Sequence, residues 1–311
     1  MPSSLGTLGT VTADEETAPK VTVVLPCYNE QDHVTLEVER ICGALDESPY
    51  TYELLAIDDR STDATLERLR QIEAKHPRMR VVAFQTNGGS GTVRRIGSQM
   101  ARGEIVVWTD ADMTYPNESI PELVAFLDEN PGYDQIVGAR TSEKGSHRFA
   151  RVPAKWTIRK FAELLTGASI PDLNSGLRAF RADVARPYLG LLPAGFSCVT
   201  TITLAFLHNQ HAVAYVPIEY ASRAGSSKFH PFADAYRYLL QVLRMVMFWN
   251  PLKVLMPVAI ALGVLGVGKL VFDQFEAPFR LANNTVLILL TGLIIGSIAL
   301  LADLIVRSRA P

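Results

Sequence analysis

Two apolar runs near the C-terminus constrain this chain more than any other feature. Residues 252–272 and 284–306 are almost wholly apolar, with Lys253 and Lys269 near the ends of the first and Asp303 near the end of the second. A helix of about 20 apolar residues spans a bilayer, and a run that is apolar on every face has no side to turn to water. The pair predicts a two-helix transmembrane hairpin; two buried helices of a soluble protein are the alternative. The connector, residues 273–283, carries Asp273, Glu276 and Arg280. The outer flanks carry Arg237, Arg244 and Lys253 on one side and Arg307 and Arg309 on the other. Positive flanks favour the cytoplasm. Both ends of the hairpin, and everything before it, are therefore expected on the cytoplasmic side of the cell inner membrane, in a multi-pass protein with both termini cytoplasmic. The two lysines can snorkel to the interfaces. Asp303 is costly in lipid and is expected to face a partner helix or the interface.

The remaining 250 or so residues, out of 311, suffice for one large domain or two small ones. A formal net charge of −2 gives no basic field, so nucleic acid is not an expected partner. Cys27, Cys42 and Cys198 are odd in number and far apart, which fits a reduced compartment and gives no disulfide or zinc framework. The histidines form no H-x-x-x-H pair, there is no Walker lysine motif, and Gly89-Ser90-Gly91 lacks the third glycine of a dinucleotide fingerprint. Residues 1–20 are polar and rich in small side chains; they read as a disordered leader and not as a signal peptide.

From Val21 onward short apolar stretches alternate with amphipathic ones. Strands are expected over 21–26, 53–58, 80–85, 104–109 and 135–139, and helices over 30–46, 63–75, 90–102 and 118–130. The alternation predicts an α/β fold with a mostly parallel, Rossmann-like sheet flanked by helices. From Arg140 to Lys160 the chain carries seven Lys or Arg against the single acid Glu143, interleaved with Trp156 and Ile158 and followed by Phe161. Such a segment suits an anionic lipid surface or a solvated helix face; the hairpin in the same chain favours the membrane. Residues 232–249 read as a second interfacial amphipathic helix. The expected division is a leader over 1–20, a catalytic domain over 21–230, an interfacial helix over 231–250 and the hairpin over 251–311.

The chemistry gathers at strand ends, where an open α/β sheet binds its ligands. Asp110-Ala111-Asp112 follows the apolar run Ile105-Val106-Val107-Trp108. Two carboxylates one residue apart can share a hard cation, Mg²⁺ or Mn²⁺, whose shell is completed by substrate phosphates; they can also simply fix a turn. Pro26-Cys27-Tyr28-Asn29-Glu30 ends the first strand. Pro26 is expected to stop it and Asn29 to cap the next helix. In Asp58-Asp59-Arg60-Ser61-Thr62-Asp63, the Asp58 carboxylate is placed to accept hydrogen bonds from a base N–H or from ribose hydroxyls, with turn chemistry as the alternative. Asn87-Gly88-Gly89-Ser90-Gly91 opens a helix and reads as a tight turn, or as backbone N–H groups presented to a ligand; Arg94 and Arg95 follow.

In order and spacing, P-C-Y-N-E, D-D-R-S-T-D, N-G-G-S-G-T and D-A-D resemble family 2 glycosyltransferases of the GT-A fold. Asp172-Leu173-Asn174-Ser175-Gly176-Leu177-Arg178 looks like that family's D-x-x-S-G-F-R, with Leu177 in place of Phe. Arg223-Ala224-Gly225-Ser226-Ser227-Lys228 resembles the R-x-G-x-S-K loop of its polyprenyl-phosphate branch, which includes dolichol-phosphate mannose synthase and bacterial undecaprenyl-phosphate glycosyltransferases. The likeness covers residues 21 to 230, and the two-helix tail is similar to that of the undecaprenyl branch. It implies that Pro26, Tyr28, Glu30 and Asp58 hold the nucleotide, and that Asp110 and Asp112 hold Mg²⁺ or Mn²⁺ on the diphosphate. It implies that Arg140, in Gly138-Ala139-Arg140, binds phosphate near the metal. Ser175 and the Asp172 region would line the sugar and acceptor pocket, Arg223 and Lys228 would close over the donor, and Arg148, Arg151 or Arg159 would catch the lipid phosphate.

The implied reaction moves one sugar from a nucleotide sugar to a polyprenyl phosphate with inversion. A UDP-sugar is favoured as donor by analogy of the tail, with GDP-mannose also open, and a homo-oligomer, by analogy a tetramer, is expected. The acceptor is a phosphate monoester, largely ionised near neutral pH, so no strong base is required and the lack of an obvious catalytic histidine follows. Three rivals remain. A processive polysaccharide synthase would carry Q-x-x-R-W, but Gln241-Val242-Leu243-Arg244-Met245 is one residue short and two spans are few for a channel. A catalytically silent scaffold would not need the acidic and arginine positions. A tethered transferase with a soluble acceptor would not need the basic, aromatic segments.

Overall fold

The structure is a computed structural model that describes residues 18–141, 167–195, 197–221, 250–276 and 281–308, together with positions 160, 163, 240, 243, 244, 247 and 248. Arg148, Arg151, Arg159, Arg223 and Lys228 lie outside the described residues, as do residues 1–17 of the expected leader and most of the two expected interfacial segments.

Seven strands form one mixed sheet in the order β3-β2-β1-β4-β6-β5-β7. They are β1 (Val21–Cys27), β2 (Tyr52–Asp58), β3 (Met79–Ala83), β4 (Ile105–Trp108), β5 (Gln135–Arg140), β6 (Arg178–Arg181) and β7 (Val213–Ile218). The pairings β1–β2, β1–β4, β2–β3 and β5–β7 are parallel, whereas β6 runs antiparallel to both β4 and β5. The central strands β1, β2 and β4 are buried on both faces, as their mostly apolar runs demand, and the buried Thr22 hydroxyl of β1 donates to Glu53 Oε1 of β2 at 2.8 Å. The helices between them are α1 (Val34–Asp46), α2 (Thr65–Glu73), α3 (Ser90–Met100) and α4 (Ile120–Glu129). Beyond β6 come the short α5 (Ala182–Ala185) and then α6 (Cys198–His208), ahead of β7.

One core joins a face of the sheet to α1, α2 and α4 through Val23, Leu25, Val38, Ile41, Leu69 and Leu123. The other joins the opposite face to α3 and α6 through Val24, Ile57, Val93, Trp108, Phe180 and Ile202. Trp108 is fully buried there; its indole N–H donates to Ser98 Oγ at 2.8 Å and its ring meets Phe180 edge-on at 5.1 Å.

Several local expectations change. The first strand does not stop at Pro26 but runs to Cys27, because the Cys27 carbonyl still accepts the Asp59 N–H at 2.9 Å. Asn29 does not cap α1: the helix starts later, after His33 and without a side-chain cap, and Asn29 sits in the left-handed region at φ 54°. Its side-chain oxygen instead accepts the Thr62 N–H at 2.8 Å, tying the loop after β1 to the loop after β2. The other helices are also shorter than their patterns: α2 and α4 each start two residues late, whereas α3 starts at Ser90 as expected and ends early, at Met100.

The two apolar runs form α7 (Leu252–Glu276) and α8 (Asn283–Ser308), packed against each other as a hairpin. Ala299 is fully buried between them, and a Cβ on Gly292 would come within 3.2 Å of Leu262; small side chains bring the two backbones close. The outward surface is aliphatic, with Val264 67% and Leu304 65% exposed. Near the connector Asp273 takes Lys269 at 2.8 Å and the Thr285 hydroxyl, so the acid bridges the two helices. Asp303 is paired with Arg307 on its own helix at 2.8 Å, near the end of α8.

Candidate active site

Parallel strands share an edge, and here that edge collects the polar motifs. In register, Cys27 lies beside Asp58, Val24 beside Trp108 and Arg140 beside Ile218. Because β6 runs in reverse, its first residue, Arg178, lies opposite Trp108 and Val137. The turn leading into β6, Asp172 to Leu177, therefore lies at the same edge as Asp110. The strand order reverses between β1 and β4, the crevice where open α/β sheets bind ligands. Backbone strain also concentrates here. Asn29, Arg60 and Met113, in the loops after β1, β2 and β4, are three of the four non-glycine residues with positive φ among the described residues; such strain clusters at functional sites.

Asp58 is buried. Its Oδ2 accepts the Ser61 N–H at 3.1 Å, while its Oδ1 is buried with no hydrogen-bond partner among the described residues. A buried acceptor left open costs free energy unless something fills it. Tyr28, in the adjoining loop, is 48% exposed, and Pro26 and Glu30 are half-buried. Asp59, next to Asp58, accepts the N–H groups of Gly88 at 2.6 Å and Gly89 at 2.8 Å. The Gly91 N–H donates to the Ala194 carbonyl at 2.7 Å. The N-G-G-S-G stretch is thus a turn whose three glycine N–H groups are spent within the protein. Gly89 is needed there, at φ 78° and with the Ala194 carbonyl 2.6 Å from where a Cβ would sit.

The acidic pair is held from several sides. Arg94, in the first turns of α3 and 1% exposed, donates from Nη2 to Asp110 Oδ1 at 2.5 Å, and its guanidinium lies 5.7 Å from the Trp108 ring centre. Burial is the strongest single influence and opposes the charge, but Asp110 together with Cys198 and Tyr115 outweighs it, so the Arg94 pKa lies above the ordinary arginine value. Thr109 Oγ1 donates to Asn117 Oδ1, and the Asn117 amide donates to Glu37 Oε2 on α1. Arg40 joins Glu37 at 2.6 Å and Glu118 at 2.6 Å. Burial raises the Glu37 pKa against the pull of Asn117 and Arg40. Asp112 Oδ1 takes the Thr114 hydroxyl at 2.5 Å.

Gly176 lies against the pair: a Cβ there would be 2.7 Å from Asp110 Oδ2. The Gly176 N–H donates to Tyr115 Oη at 2.6 Å. Ser175 is fully buried, and the Arg178 guanidinium, itself buried, donates to the Ser175 carbonyl, to the Val199 carbonyl at 2.8 Å and to Thr203 Oγ1 at 2.8 Å. Burial brings the Arg178 pKa down to about 10, which still leaves it charged near neutrality.

Arg140 and Asp172 form a bidentate pair, Nε to Oδ2 at 2.7 Å and Nη2 to Oδ1 at 3.0 Å, and the Arg140 N–H adds a third bond. Burial works against ionisation of Asp172, but these bonds hold its carboxyl below the usual 3.8. Arg140 also lies 5.2 Å from the Tyr220 ring centre, and Tyr220 meets Tyr115 edge-on at 5.1 Å. The Ala221 N–H donates to the Thr114 carbonyl at 3.0 Å, so the chain that leads on to Arg223 passes the acidic turn. The structure thus brings Asp58, Asp110, Asp112, Arg140, Asp172 and Ser175 to one edge.

Sequence reasoning missed Arg94, Glu37, Asn117, Tyr115 and Arg178 as supports of this site. The available signals were weak: an arginine next to Val93, three residues from each of Gly91 and Gly97 on α3, and a Glu–Arg pair three residues apart on α1.

Asp110 and Asp112 suit a divalent cation of the Mg²⁺ or Mn²⁺ kind. Both offer hard carboxylate oxygens at a strand end, and no cluster of three or more His, Cys, Asp or Glu occurs among the described residues. The remaining positions on such an ion would fall to phosphate and water, as its hydration chemistry prefers.

The fold and this edge define a GT-A-like glycosyltransferase architecture. The chain shares its fold with glucosyl-3-phosphoglycerate synthase from Mycobacterium tuberculosis in complex with phosphoglyceric acid, at a TM-score of 0.57 and 20% identity over 73% of this chain and 80% of that one. The same enzyme in complex with Mn²⁺, UDP-glucose and phosphoglyceric acid aligns with a TM-score of 0.56, also at 20% identity. The chain belongs to glycosyl transferase family 2, whose profile it matches over residues 22–189, and residues 250–308 match the GtrB C-terminal hairpin. It is 33% identical, over 70% of its length, to an undecaprenyl-phosphate 4-deoxy-4-formamido-L-arabinose transferase from Edwardsiella ictaluri, and spans 65% of that relative. It is 25% identical, over 96% of its length, to a dodecaprenyl-phosphate galacturonate synthase from Rhizobium johnstonii, and spans 90% of that one.

Proposed function

We propose that this chain transfers one sugar from a nucleotide-diphosphate sugar to a polyprenyl phosphate of the undecaprenyl type, at the cytoplasmic face of the membrane, with inversion and with Mg²⁺ or Mn²⁺. One observation carries the reading: the acidic pair, the half-open Asp58 carboxylate and the Arg140–Asp172 pair share one sheet edge in a family 2 chain that ends in two apolar helices. The acceptor is supported by the relatives, which are named for undecaprenyl- and dodecaprenyl-phosphate chemistry. The donor class and the ion are supported by the structural neighbour bound to Mn²⁺ and UDP-glucose.

Asp58 receives the base. With Oδ2 committed to Ser61 and Oδ1 open, it matches uracil, which offers a single ring N–H. Guanine presents two adjacent donors that would use both oxygens of a carboxylate. Tyr28, Pro26 and Glu30 complete the nucleotide side. Asp110 and Asp112 hold the ion, which when bound supplies positive charge to the departing diphosphate. Arg140 binds phosphate beside it and adds a fixed charge where the leaving group develops its own. The acceptor phosphate oxygen attacks the anomeric carbon as the bond from that carbon to the diphosphate oxygen breaks. The nucleophile is already ionised, so no residue has to take a proton. Asp172, ionised and clamped to Arg140, orients that arginine and serves as no proton shuttle. Ser175 and the turn beside it border the sugar and acceptor, Arg223 and Lys228 close over the diphosphate, and Arg148, Arg151 or Arg159 meets the lipid phosphate.

The test is sugar transfer by the purified full chain in detergent, with undecaprenyl phosphate, Mg²⁺ or Mn²⁺ and a panel of UDP- and GDP-sugars. The expected product is a lipid-linked monosaccharide from one UDP-sugar, lost on chelation. Transfer to a water-soluble acceptor alone, or growth of a long glycan, would refute the reading.

A further inference from the structure

The acidic pair carries a built-in competitor for its own cation. Arg94 reaches Asp110 from inside the protein, with Nη2 at 2.5 Å from Oδ1 and 3.4 Å from the Thr109 carbonyl. The guanidinium is 1% exposed and is backed by the Trp108 ring at 5.7 Å, so it has no route to swing into solvent. Its companions also deny Asp110 room to turn away. Gly176 closes on Oδ2, where even a Cβ would stand at 2.7 Å, and Asn117 anchors Thr109 just before it. A second buried guanidinium, Arg178, sits behind the Ser175–Gly176 turn with neutral oxygens as its hydrogen-bond partners. The pair also lacks a third carboxylate, His or Cys ligand among the described residues. A divalent ion at Asp110 and Asp112 would thus sit beside one arginine that partly neutralises its ligand, with another close behind.

We propose that Arg94 is a positioning residue that sets the Asp110 carboxylate and, by occupying Oδ1 with a positive charge, keeps the nucleotide-free protein from holding a divalent cation. The ion then enters with the diphosphate, whose negative charges offset the guanidinium and supply the missing oxygen ligands. The inference rests on the metal role of Asp110 and Asp112 proposed above. It goes beyond that role by fixing the order in which the site fills, and it assigns the cause to a buried side chain.

Binding of Mn²⁺ to the full chain in detergent, followed by the electron paramagnetic resonance signal of the free ion with and without UDP, tests it. The wild type should bind Mn²⁺ at least about tenfold more weakly without UDP than with it. In Arg94→Gln, which keeps an N–H donor for Asp110 but no charge, Mn²⁺ binding without UDP should tighten by about tenfold. Arg94→Lys, which keeps the charge, should stay as weak as the wild type. A general loss of structure would weaken binding, so a gain in affinity separates the proposed role from a purely structural one. Equal Mn²⁺ affinity with and without UDP in the wild type overturns the proposal without needing either variant. So does an Arg94→Gln protein that takes up Mn²⁺ with UDP yet is no tighter than the wild type without it. If the wild type takes up no Mn²⁺ even with UDP, the metal reading itself fails, and this inference falls with it.

Discussion

Asp58 presents one committed oxygen and one open one in a buried setting, and that asymmetry gives a direct test. Asp58→Asn puts an amide where a base N–H would bind, so an acceptor is replaced by a donor or by a weaker acceptor. The Michaelis constant for the UDP-sugar should rise about tenfold, equivalent to a lost charge-assisted hydrogen bond of about 1.5 kcal/mol, with a much smaller change in kcat. An unchanged Michaelis constant would remove Asp58 from the nucleotide site. Asp172 makes a prediction in pH. Its carboxyl is held below 3.8 in the folded protein, so its contribution to stability is fully present above that value and is lost as pH falls through the lower, folded-state pKa. Asp172→Asn should therefore melt below the wild type by a constant margin from neutral pH down to about 5, and that margin should close on further acidification. A margin that widens in acid would contradict the pairing with Arg140. Neither residue's environment could be read from sequence. D-D-R-S and D-x-x-S-G mark acids at turns, but whether an oxygen is free or paired depends on groups brought in from distant positions.

At the scale of elements, α1 and α3 grip the acidic turn from opposite faces of the sheet. Glu37 on α1 reaches it through Asn117, and Arg94 on α3 reaches it directly. Asn117→Ala would leave the Glu37 carboxylate and the Thr109 hydroxyl buried without this partner, at a cost of about 2 kcal/mol. The expected result is a lower melting temperature together with a drop in kcat that exceeds any change in donor affinity, because the turn loses its set position. A melting temperature equal to the wild type would show that the network is slack. The alternation of patterns made most elements legible, and strand positions came out close because apolar runs between breakers are local signals. The start of α3 at Ser90 was legible too, but those of α1 and α2 were not, since the strand-end loops at Asn29 and Asp63 spend their polar side chains on each other. Gln31 and Asp63 show this: the Gln31 N–H donates to Asp63 Oδ2 at 3.3 Å, while the Ala64 N–H donates to Gln31 Oε1 at 3.0 Å.

For the whole molecule, the positive flanks of α7 and α8 predict that the domain before them lies on the cytoplasmic side and the connector on the other side. A reporter fused after residue 311 should be active only in its cytoplasmic form, and one inserted at residues 277–280 only in its exported form; the reverse pattern would refute the orientation. We also propose a homo-oligomer, by analogy a tetramer, which light scattering of the detergent-solubilised protein would test; a monomer under conditions that retain activity would refute it. The hairpin tests another kind of legibility. Its existence follows from run length and composition, but its internal fit does not. That Ala299 is buried, and that Asp273 bridges to Thr285 across the connector, depends on the rotation of each helix about its axis.

The sequence by itself determined the alternating α/β order, the two apolar helices and the placing of acids at successive strand ends. Each is written in local periodicity or in the length of an apolar run, and a parallel sheet brings strand ends to one edge whatever the details. The tertiary structure decided what the site can do. The antiparallel insertion of β6 carries Gly176 against Asp110, although the two are far apart in the chain and nothing local states their register. Of the neighbours Arg94 and Arg95, the fold buries the first against Trp108 and leaves the second half-exposed, a choice set by how α3 rolls onto the sheet. Whether the acids at the edge are free, paired or crowded depends on those long-range contacts, because the energy of a buried charge is set by the groups packed around it.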